Sequence, residues 1–503
     1  MNAAVLLEVH GLSKSFGPVH ANDNVSFSIR AGEVHALLGE NGAGKSTLVK
    51  QLYGVYQPDS GEITLAGSPT RIDSPATARA QGIGLVFQDM RLIPALTVWE
   101  NIALNLPSTK RQKPTDIKAM IVEASAKWGL PVEPNALVAD LSVGEWQRIE
   151  LLKVLLAGAN VLILDEPTSV LTPSEVGALF AVLTDLRAAG VGIVIITHKL
   201  REVREIADRV TVLRGGKTIV SDVPADTLTD PELIEAMVGR SVPALESSRT
   251  QFPPSLPAIE LAAASLTRRD GTSALRSVSF RVHPGEILGI AGVAGNGQEE
   301  LVDVLTGVRA AEDGDVMLND HVVPGGQPGG FKARGVISVV PDPVRQFVVP
   351  GMSIAQHAAL WEVAHGEHTS YATKAAARRF TERAAAVGLP VAPSHRVLEE
   401  LSGGNIQRVL LTLAFSTPGS VLVVSYPTRG LDVATTRDTR QRLLEARERG
   451  LAIVLVSEDL DELLEVSDRI AVLNEGSITG ILDRSDADRA ALGDLMTRLV
   501  EAA

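Results

Sequence analysis

Nine consecutive residues, GENGAGKST from Gly39 to Thr47, bring together three glycines, a lysine and two hydroxyls. Gly39, Gly42 and Gly44 let backbone N–H groups come close enough to wrap phosphate oxygens, with Glu40, Asn41 and Ala43 spacing the loop between them. Lys45 adds a full positive charge, and Ser46, beside Thr47, offers a hydroxyl as a hard oxygen ligand for Mg²⁺. A glycine-rich turn alone binds nothing. Here an apolar run, Val34 to Leu38, precedes the loop and a helix-compatible segment follows it, which is the context a phosphate-binding loop needs.

A second group of polar residues sits after apolar runs. Asp165 and Glu166 end the run VLIL, His198 follows GIVIIT, and Gln88 follows LVF. At the carboxyl edge of a parallel sheet these side chains would face a ligand. Asp165 is then suited to hold a metal, directly or through water, and Glu166 to orient and deprotonate an attacking water. His198 is placed to contact a γ-phosphate, and Gln88 to touch metal and water. Taken singly, an acidic pair after a strand is a helix cap or solvated turn, and a lone histidine is structural; it is the combination that carries the chemistry. Phe16 has two readings, a ring that stacks on adenine or an ordinary core aromatic.

The same signals recur. LSVGEWQR begins at Leu141 and LSGGNIQR at Leu401, an offset of 260 (401 − 141), and VLILDEPT and IVIITHKL return at the same offset as VLVVSYPT and IVLVSEDL. The glycine loops at Gly39 and Gly292 are 253 apart (292 − 39), so small insertions enlarge the second half. The proline- and serine-rich stretch SVPALESSRTQFPPSLP separates the halves. We expect a first domain at 1–243, a linker at 244–257 and a second domain at 258–503.

Short, wholly apolar runs such as VHALL, VLIL and GIVIIT alternate with longer amphipathic segments, a pattern of buried parallel strands with crossover helices. At 503 residues the chain exceeds what one core supports. It is 45% hydrophobic and 21% charged, with no apolar stretch long enough to span a membrane. With no cysteine and no leader-like start, a cytoplasmic location is expected. A net charge of −13 without a basic stripe speaks against a nucleic-acid partner.

GENGAGKST, LSVGEWQR, LILDEPT and His198, in this order and spacing, resemble the ATP-binding cassette family over essentially the whole chain. The resemblance implies an α/β fold of two tandem P-loop cassettes, each with a mainly parallel sheet core, an N-terminal antiparallel part and a helical subdomain. It also implies ATP and Mg²⁺ as ligands, and closure of ATP on one loop by the signature of the other half. Here that would be Ser402, Gly403, Gly404 and Gln407 of LSGGNIQR.

The second half departs from the family pattern. Its loop reads GVAGNGQEE, with Gln298 in place of lysine and Glu299 in place of serine, and Ser425, Tyr426 and Glu458 replace the metal-binding aspartate, the catalytic glutamate and the histidine. Yet it keeps LSGG and the turn ending in Asp432, whereas the first half has Val143 in its signature and Thr172 in the corresponding turn. One hydrolytic site per chain follows, and both Ser142 and Ser402 are expected to cap their helices.

Two fused cassettes with a degenerate second site resemble importers of simple sugars and nucleosides. ANDNVSF, LYGVYQPDSGEI, LILDEPTSVLTPSE and a second Walker B without acids are similar to the nucleoside-importing subgroup associated with basic membrane lipoproteins; VFQDMRLI lacks that subgroup's histidines. The implied partners are two integral-membrane permease subunits and, indirectly, a substrate-binding lipoprotein or periplasmic-type protein. The implied location is peripheral, on the cytoplasmic face of the membrane. A ribose-like importer is the nearest alternative. A ribosome-associated tandem cassette fits less well, because the linker is short and the second site dismantled.

Overall fold

VHALL, VLILD and GIVII form strands with nearly every residue buried, because both faces of the sheet are covered, one by helices and the other by a second sheet with a helix. The computed structural model describes residues 4–106, 113–168, 171, 173–239, 256–268, 270–293 and 295–497. The chain divides into two units, Met1–Val242 and Pro243–Ala503. Most of the 244–257 stretch lies outside the described residues, as does Thr172.

The first unit runs β1 (Val5–Phe16), β2 (Val19–Arg30), β3 (Val34–Leu38), α1 (Lys45–Leu52), β4 (Ser60–Leu65), β5 (Ser68–Pro69), α2 (Pro75–Ala80) and β6 (Ile83–Val86). It continues through α3 (Val98–Asn105), α4 (Pro114–Trp128), α5 (Val143–Ala157), β7 (Val161–Asp165), α6 (Pro173–Ala188), β8 (Gly192–Ile196), α7 (Leu200–Ile206), β9 (Arg209–Arg214), β10 (Lys217–Pro224) and α8 (Asp230–Val238). An antiparallel sheet has the order β2-β1-β4-β5. A second sheet, β10-β9-β3-β8-β7-β6, is parallel except for β10.

Successive strand residues point to opposite faces, so β7 feeds two cores. Val161 and Ile163 pack with Leu7, Ile29 and Leu48, whereas Leu162 and Leu164 pack with Ile102, Ile121 and Ile149 of α3, α4 and α5. The three helices thus sit on one face as a subdomain, and the antiparallel sheet with α1 sits on the other. A buried polar knot ties the sheets together. Asp222 accepts from Arg30 Nη1 at 2.8 Å and Ser28 Oγ at 2.7 Å and also pairs with Arg209, while buried His35 Nε2 lies 2.8 Å from Thr211 Oγ1.

The second unit repeats the plan: β11 (Ile259–Thr267), β12 (Ser273–Val282), β13 (Ile287–Ala291), α9 (Gln298–Leu305), β14 (Asp313–Leu318), β15 (His321–Val322), α10 (Pro328–Lys332), β16 (Val336–Val339) and α11 (Pro343–Gln346). Then come α12 (Ile354–Ala364), α13 (Thr373–Val387), α14 (Gly403–Ser416), β17 (Val421–Ser425), α15 (Val433–Glu448), β18 (Ala452–Val456), α16 (Leu460–Val466), β19 (Arg469–Asn474), β20 (Ser477–Asp483) and α17 (Arg489–Thr497). Its sheets have the orders β12-β11-β14-β15 and β16-β17-β18-β13-β19-β20. Part of the extra length falls in the helical subdomain, where α12 has 11 residues against 8 in α3. Leu288 stands beside Arg469 as His35 stands beside Arg209, so a leucine takes the place of His35 in this unit, whose own buried histidine is His357 on α12. Among the described residues, no helix is long and apolar enough to cross a membrane.

Candidate active site

The glycine loop joins β3 to α1. Gly44 has φ 101°, and a Cβ there would come within 2.2 Å of the Ala21 carbonyl oxygen, so the turn into α1 admits no side chain. Asn22 Nδ2 donates to Gly44 O at 3.1 Å, and Gln51 Nε2 donates to Asn22 Oδ1 at 2.8 Å, bracing the loop from β2 and α1. Asn22 lies within ANDNVSF, but neither that run nor Gln51 carries a signal linking β2 to α1. Lys45 is buried and donates to Gly39 O at 2.6 Å and Glu40 O at 3.1 Å. Burial lowers its pKa, against the pull of Glu166, Asp165 and Glu40. Ser46, Asn41 and Gly42 are exposed on the loop, Ala43 is buried under it, and Thr47 is half-buried.

Asp165 ends β7 and Glu166 follows it with φ 47°, a left-handed conformation held by its N–H donating to Ile196 O at 3.0 Å. That turn aims the Glu166 carboxylate between two partners. Oε1 accepts from His198 Nδ1 at 3.2 Å and Oε2 from Gln88 Nε2 at 3.0 Å. Three residues from three strand ends, proposed separately on sequence grounds, therefore meet on one carboxylate. The His198 hydrogen bond outweighs burial and holds Glu166 below its usual pKa. Burial, reinforced by Glu166, pushes Asp165 up to about 6, with Lys45 opposing.

Beneath this cluster, buried Glu202 accepts from Thr197 Oγ1 at 2.7 Å and pairs with Thr168, clamping the loops after β7 and β8. The repeat marks it, since Glu462 lies 260 positions on (462 − 202) and accepts from Ser457 Oγ at 2.6 Å. Phe16 lies at the end of β1, 45% exposed, edge-on to Tyr56 with centroids 5.2 Å apart. This is a surface aromatic pair, not core packing.

In the second unit, α9 begins at Gln298, whose Nε2 donates to Val293 O at 2.8 Å. The amide thus keeps a loop-carbonyl bond like that of Lys45 without its charge. Glu299 and Glu300 fill the first turn, and Arg268 neutralises Glu300 at 2.6 Å and donates to Gly295 O at 2.8 Å. Leu275 and Val304 replace the Asn22–Gln51 brace, and Pro341 replaces Gln88, a loss unmarked by any motif. Ser425 is fully buried, and burial raises the pKa of both Tyr426 and Glu458.

The two signature helices begin differently. Ser142 caps α5 in a reciprocal box: its Oγ accepts from Glu145 N at 3.3 Å and its N–H donates to Glu145 Oε2 at 2.8 Å, while Val143 is exposed at the first helical position. Ser402 precedes α14 but makes no side-chain cap; its Oγ accepts from Asn405 Nδ2 at 2.9 Å instead. The expected capping role of Ser402 is thus corrected, because the amide of Asn405 reaches the hydroxyl, whereas Glu145 in the first half turns back onto the cap. Gly403 faces open space, and a Cβ on Gly404 would meet Gly430 O at 2.7 Å. Gln407, expected to contact nucleotide, is buried, with Nε2 donating to Pro427 O at 3.2 Å, as Gln147 donates to Pro167 O at 2.6 Å. Both glutamines anchor the segment after the acidic strand end. Asp432 caps α15 by accepting from Thr435 N at 2.8 Å.

A phosphate-cradling loop between a central parallel strand and a helix, with a carboxylate pair at the end of the next strand but one, defines a P-loop nucleoside triphosphatase. The sequence pattern of the family described as ABC transporter matches residues 22–169 and 275–429. The chain belongs to that family, and it is an ATP-binding ATPase whose hydrolysis is coupled to transport. It is 39% identical over 500 residues, 98% of each chain, to the nucleoside import ATP-binding protein NupA of Lactococcus lactis subsp. cremoris. It is 39% identical over 503 residues, 99% of each chain, to the ribose import ATP-binding protein RbsA 1 of Rubrobacter xylanophilus. To the glucose import ATP-binding protein TsgD13 of Haloferax volcanii it is 38% identical over 99% of this chain and 96% of the relative.

Proposed function

We propose that the chain is the ATP-binding subunit of a nucleoside importer, hydrolysing ATP at one site per chain. The carrying observation is the Glu166 carboxylate bridged by His198 and Gln88 beside Lys45, in the first unit alone. Loop N–H groups and Lys45 bind the phosphates, and Glu166, ionised at neutral pH, takes the proton of the attacking water. His198 holds Glu166 in place and contacts the γ-phosphate, and Gln88 links that phosphate to the segment leading to the helical subdomain. Phe16, with Tyr56 behind it, offers its face to adenine.

The donors at this site fit Mg²⁺. Ser46, Asp165 and Gln88 supply hard oxygens, and Asp165, whose pKa burial and then Glu166 raise, is a carboxylate whose charged form a divalent cation would stabilise. Bound Mg²⁺ would neutralise charge on the terminal phosphates. Ser402, Gly403 and Gly404 are assigned to closing the site from the second cassette, with the domains taken as 1–243 and 258–503. The subunit is assigned to the cytoplasmic membrane face, against two permease subunits served by a substrate-binding lipoprotein.

The nucleoside assignment is supported by the likeness to NupA and by Ser425 and Tyr426, which give the second Walker B the acid-free form that resembles the nucleoside-importing subgroup. Uptake of labelled nucleosides and of labelled ribose, in cells carrying the native chain or Glu166→Gln at matched expression, tests it. Collapse of nucleoside uptake alone is the expected result. Collapse of ribose uptake alone would move the assignment to sugars, and no change in either would remove transport from the reading.

A further inference from the structure

The segment after Gln88 is held by buried polar side chains from two helices. On α3, Asn101 accepts from Ile93 N at 2.7 Å and donates to Ile93 O at 3.1 Å. On α5, Glu150 Oε1 accepts from Arg91 N at 2.8 Å and from Lys153 Nζ at 2.6 Å, and Lys153 Nζ also reaches Arg91 O at 3.3 Å. Glu150 is 1% exposed and Lys153 8%.

The second unit is an internal control. There His357 Nε2 accepts from Val349 N at 2.9 Å, so the hold from the α3-equivalent helix survives. The hold from the signature helix does not: Leu410 and Leu413, both buried, occupy the places of Glu150 and Lys153, and Pro341 occupies the place of Gln88. Two leucines thus suffice to pack this corner of the fold. A buried ion pair seldom beats well-packed apolar residues in stability, because desolvating both charges offsets their attraction. Stability alone therefore does not account for Glu150 and Lys153, and they accompany the half that keeps Gln88 and Glu166.

We propose that Glu150 and Lys153 are positioning residues that fasten the Gln88 segment to helix α5, so that a change at Gln88 on γ-phosphate binding or loss moves the first signature helix with it. The chain of contacts is continuous: Glu166 to Gln88, Gln88 to Arg91 along three residues of backbone, and Arg91 to Glu150 and Lys153. The proposal rests on the assignment of Gln88 to the γ-phosphate, but not on which solute is carried.

Amide hydrogen exchange of the full chain with Mg²⁺ and either ADP or a non-hydrolysable ATP analogue tests it, comparing the native chain with Glu150→Leu/Lys153→Leu. In the native chain the two nucleotides should give different protection at 39–47, at 86–93 and in 143–157. In the double variant the difference should persist at 39–47 and fall at least fivefold in 143–157. A purely packing role would shift exchange equally with either nucleotide. An undiminished difference in 143–157 overturns the proposal, as does its absence from α5 of the native chain. If the double variant does not fold, Glu150→Gln, which keeps an acceptor for Arg91 N–H but removes the ion pair, reads the same quantity against the same two outcomes. No protection at 39–47 with either nucleotide in the native chain would overturn the site assignment, and the relay with it.

Discussion

Glu166 and Tyr426 hold the same backbone position in the two repeats. Each has φ 47° just past its strand, and each donates its N–H to the adjacent strand, to Ile196 O at 3.0 Å and Val456 O at 2.8 Å. A left-handed non-glycine residue costs roughly 1–2 kcal/mol, so the turn is kept by the surrounding hydrogen bonds and not by the residue's own preference. The second unit thus keeps the backbone turn of the site with a tyrosine in place of the carboxylate.

Restoring one acid there should accordingly restore nothing. With Gln298, Ser425, Pro341 and Glu458 still in place, Tyr426→Glu has neither a lysine loop nor a partner like Gln88. Phosphate release in a chain also carrying Glu166→Gln should stay at background. Measurable turnover from Tyr426→Glu would contradict the one-site reading.

Removal of the Glu166 carboxylate or the Lys45 charge should lower ATP turnover by about 10² to 10⁴, the usual worth of a general base. Gln298→Ala should change turnover by less than about twofold, since Gln298 only bonds the loop carbonyl of Val293. Steady-state phosphate release for the three variants decides this. Equal losses from Lys45→Ala and Gln298→Ala would mean that both loops are catalytic.

Gly403 and Val143 begin the two signature helices at the same position, and a Cβ on Gly403 meets open space. Gly403→Val should therefore fold normally. If Gly403 N–H receives the γ-phosphate, covering it should lower kcat by about 10², the scale of losing one preorganised donor. Val143→Gly should leave kcat within about twofold, and a large gain from it would show that the second loop is served after all.

Acid should destabilise the first unit through His35. Burial drops the pKa of His35 from its usual 6.5 to about 4, so its folded form binds fewer protons than its unfolded form between those values. Stability is full above about pH 6.5 and falls as pH drops toward 4, by roughly 3 kcal/mol at 1.4 kcal/mol per unit. Asp222, held below the usual carboxylate range by Arg30, Ser28 and Arg209 against its burial, contributes only at lower pH. Differential scanning calorimetry of the chain and of His35→Leu, which copies Leu288, should show a smaller pH 6.5-to-4 loss in the variant, because His357 and His365 of the second unit, whose pKa burial also lowers, contribute to both alike. Equal losses in both would assign the acid sensitivity elsewhere.

Much of the architecture and the first site could be read from residues alone. Wholly apolar five-residue runs dictate buried parallel strands, and GENGAGKST dictates a turn that only glycine permits at Gly44. The 260-residue repeat marked both the second cassette and the positions at which it departs from the first, because a repeated motif shows its own replacements. The Asn22–Gln51 brace and the Glu150–Lys153 hold were not legible, since no spacing rule links residues from separate elements. The cap at Ser402 was misread for the same reason: a side chain bonds to whatever the fold places near it, here Asn405.

The sequence by itself determined the chemical inventory, namely which half carries lysine, two carboxylates and histidine and which carries Gln298, Ser425, Tyr426 and Glu458. Residue identity is local and survives any arrangement of the chain. Only the tertiary structure decided that Gln88, Glu166 and His198 meet on one carboxylate, and that α5 alone grips the segment behind Gln88 with a buried ion pair. Hydrogen bonds fall off within a few tenths of an ångström, and distances between strand ends are set by sheet order and packing.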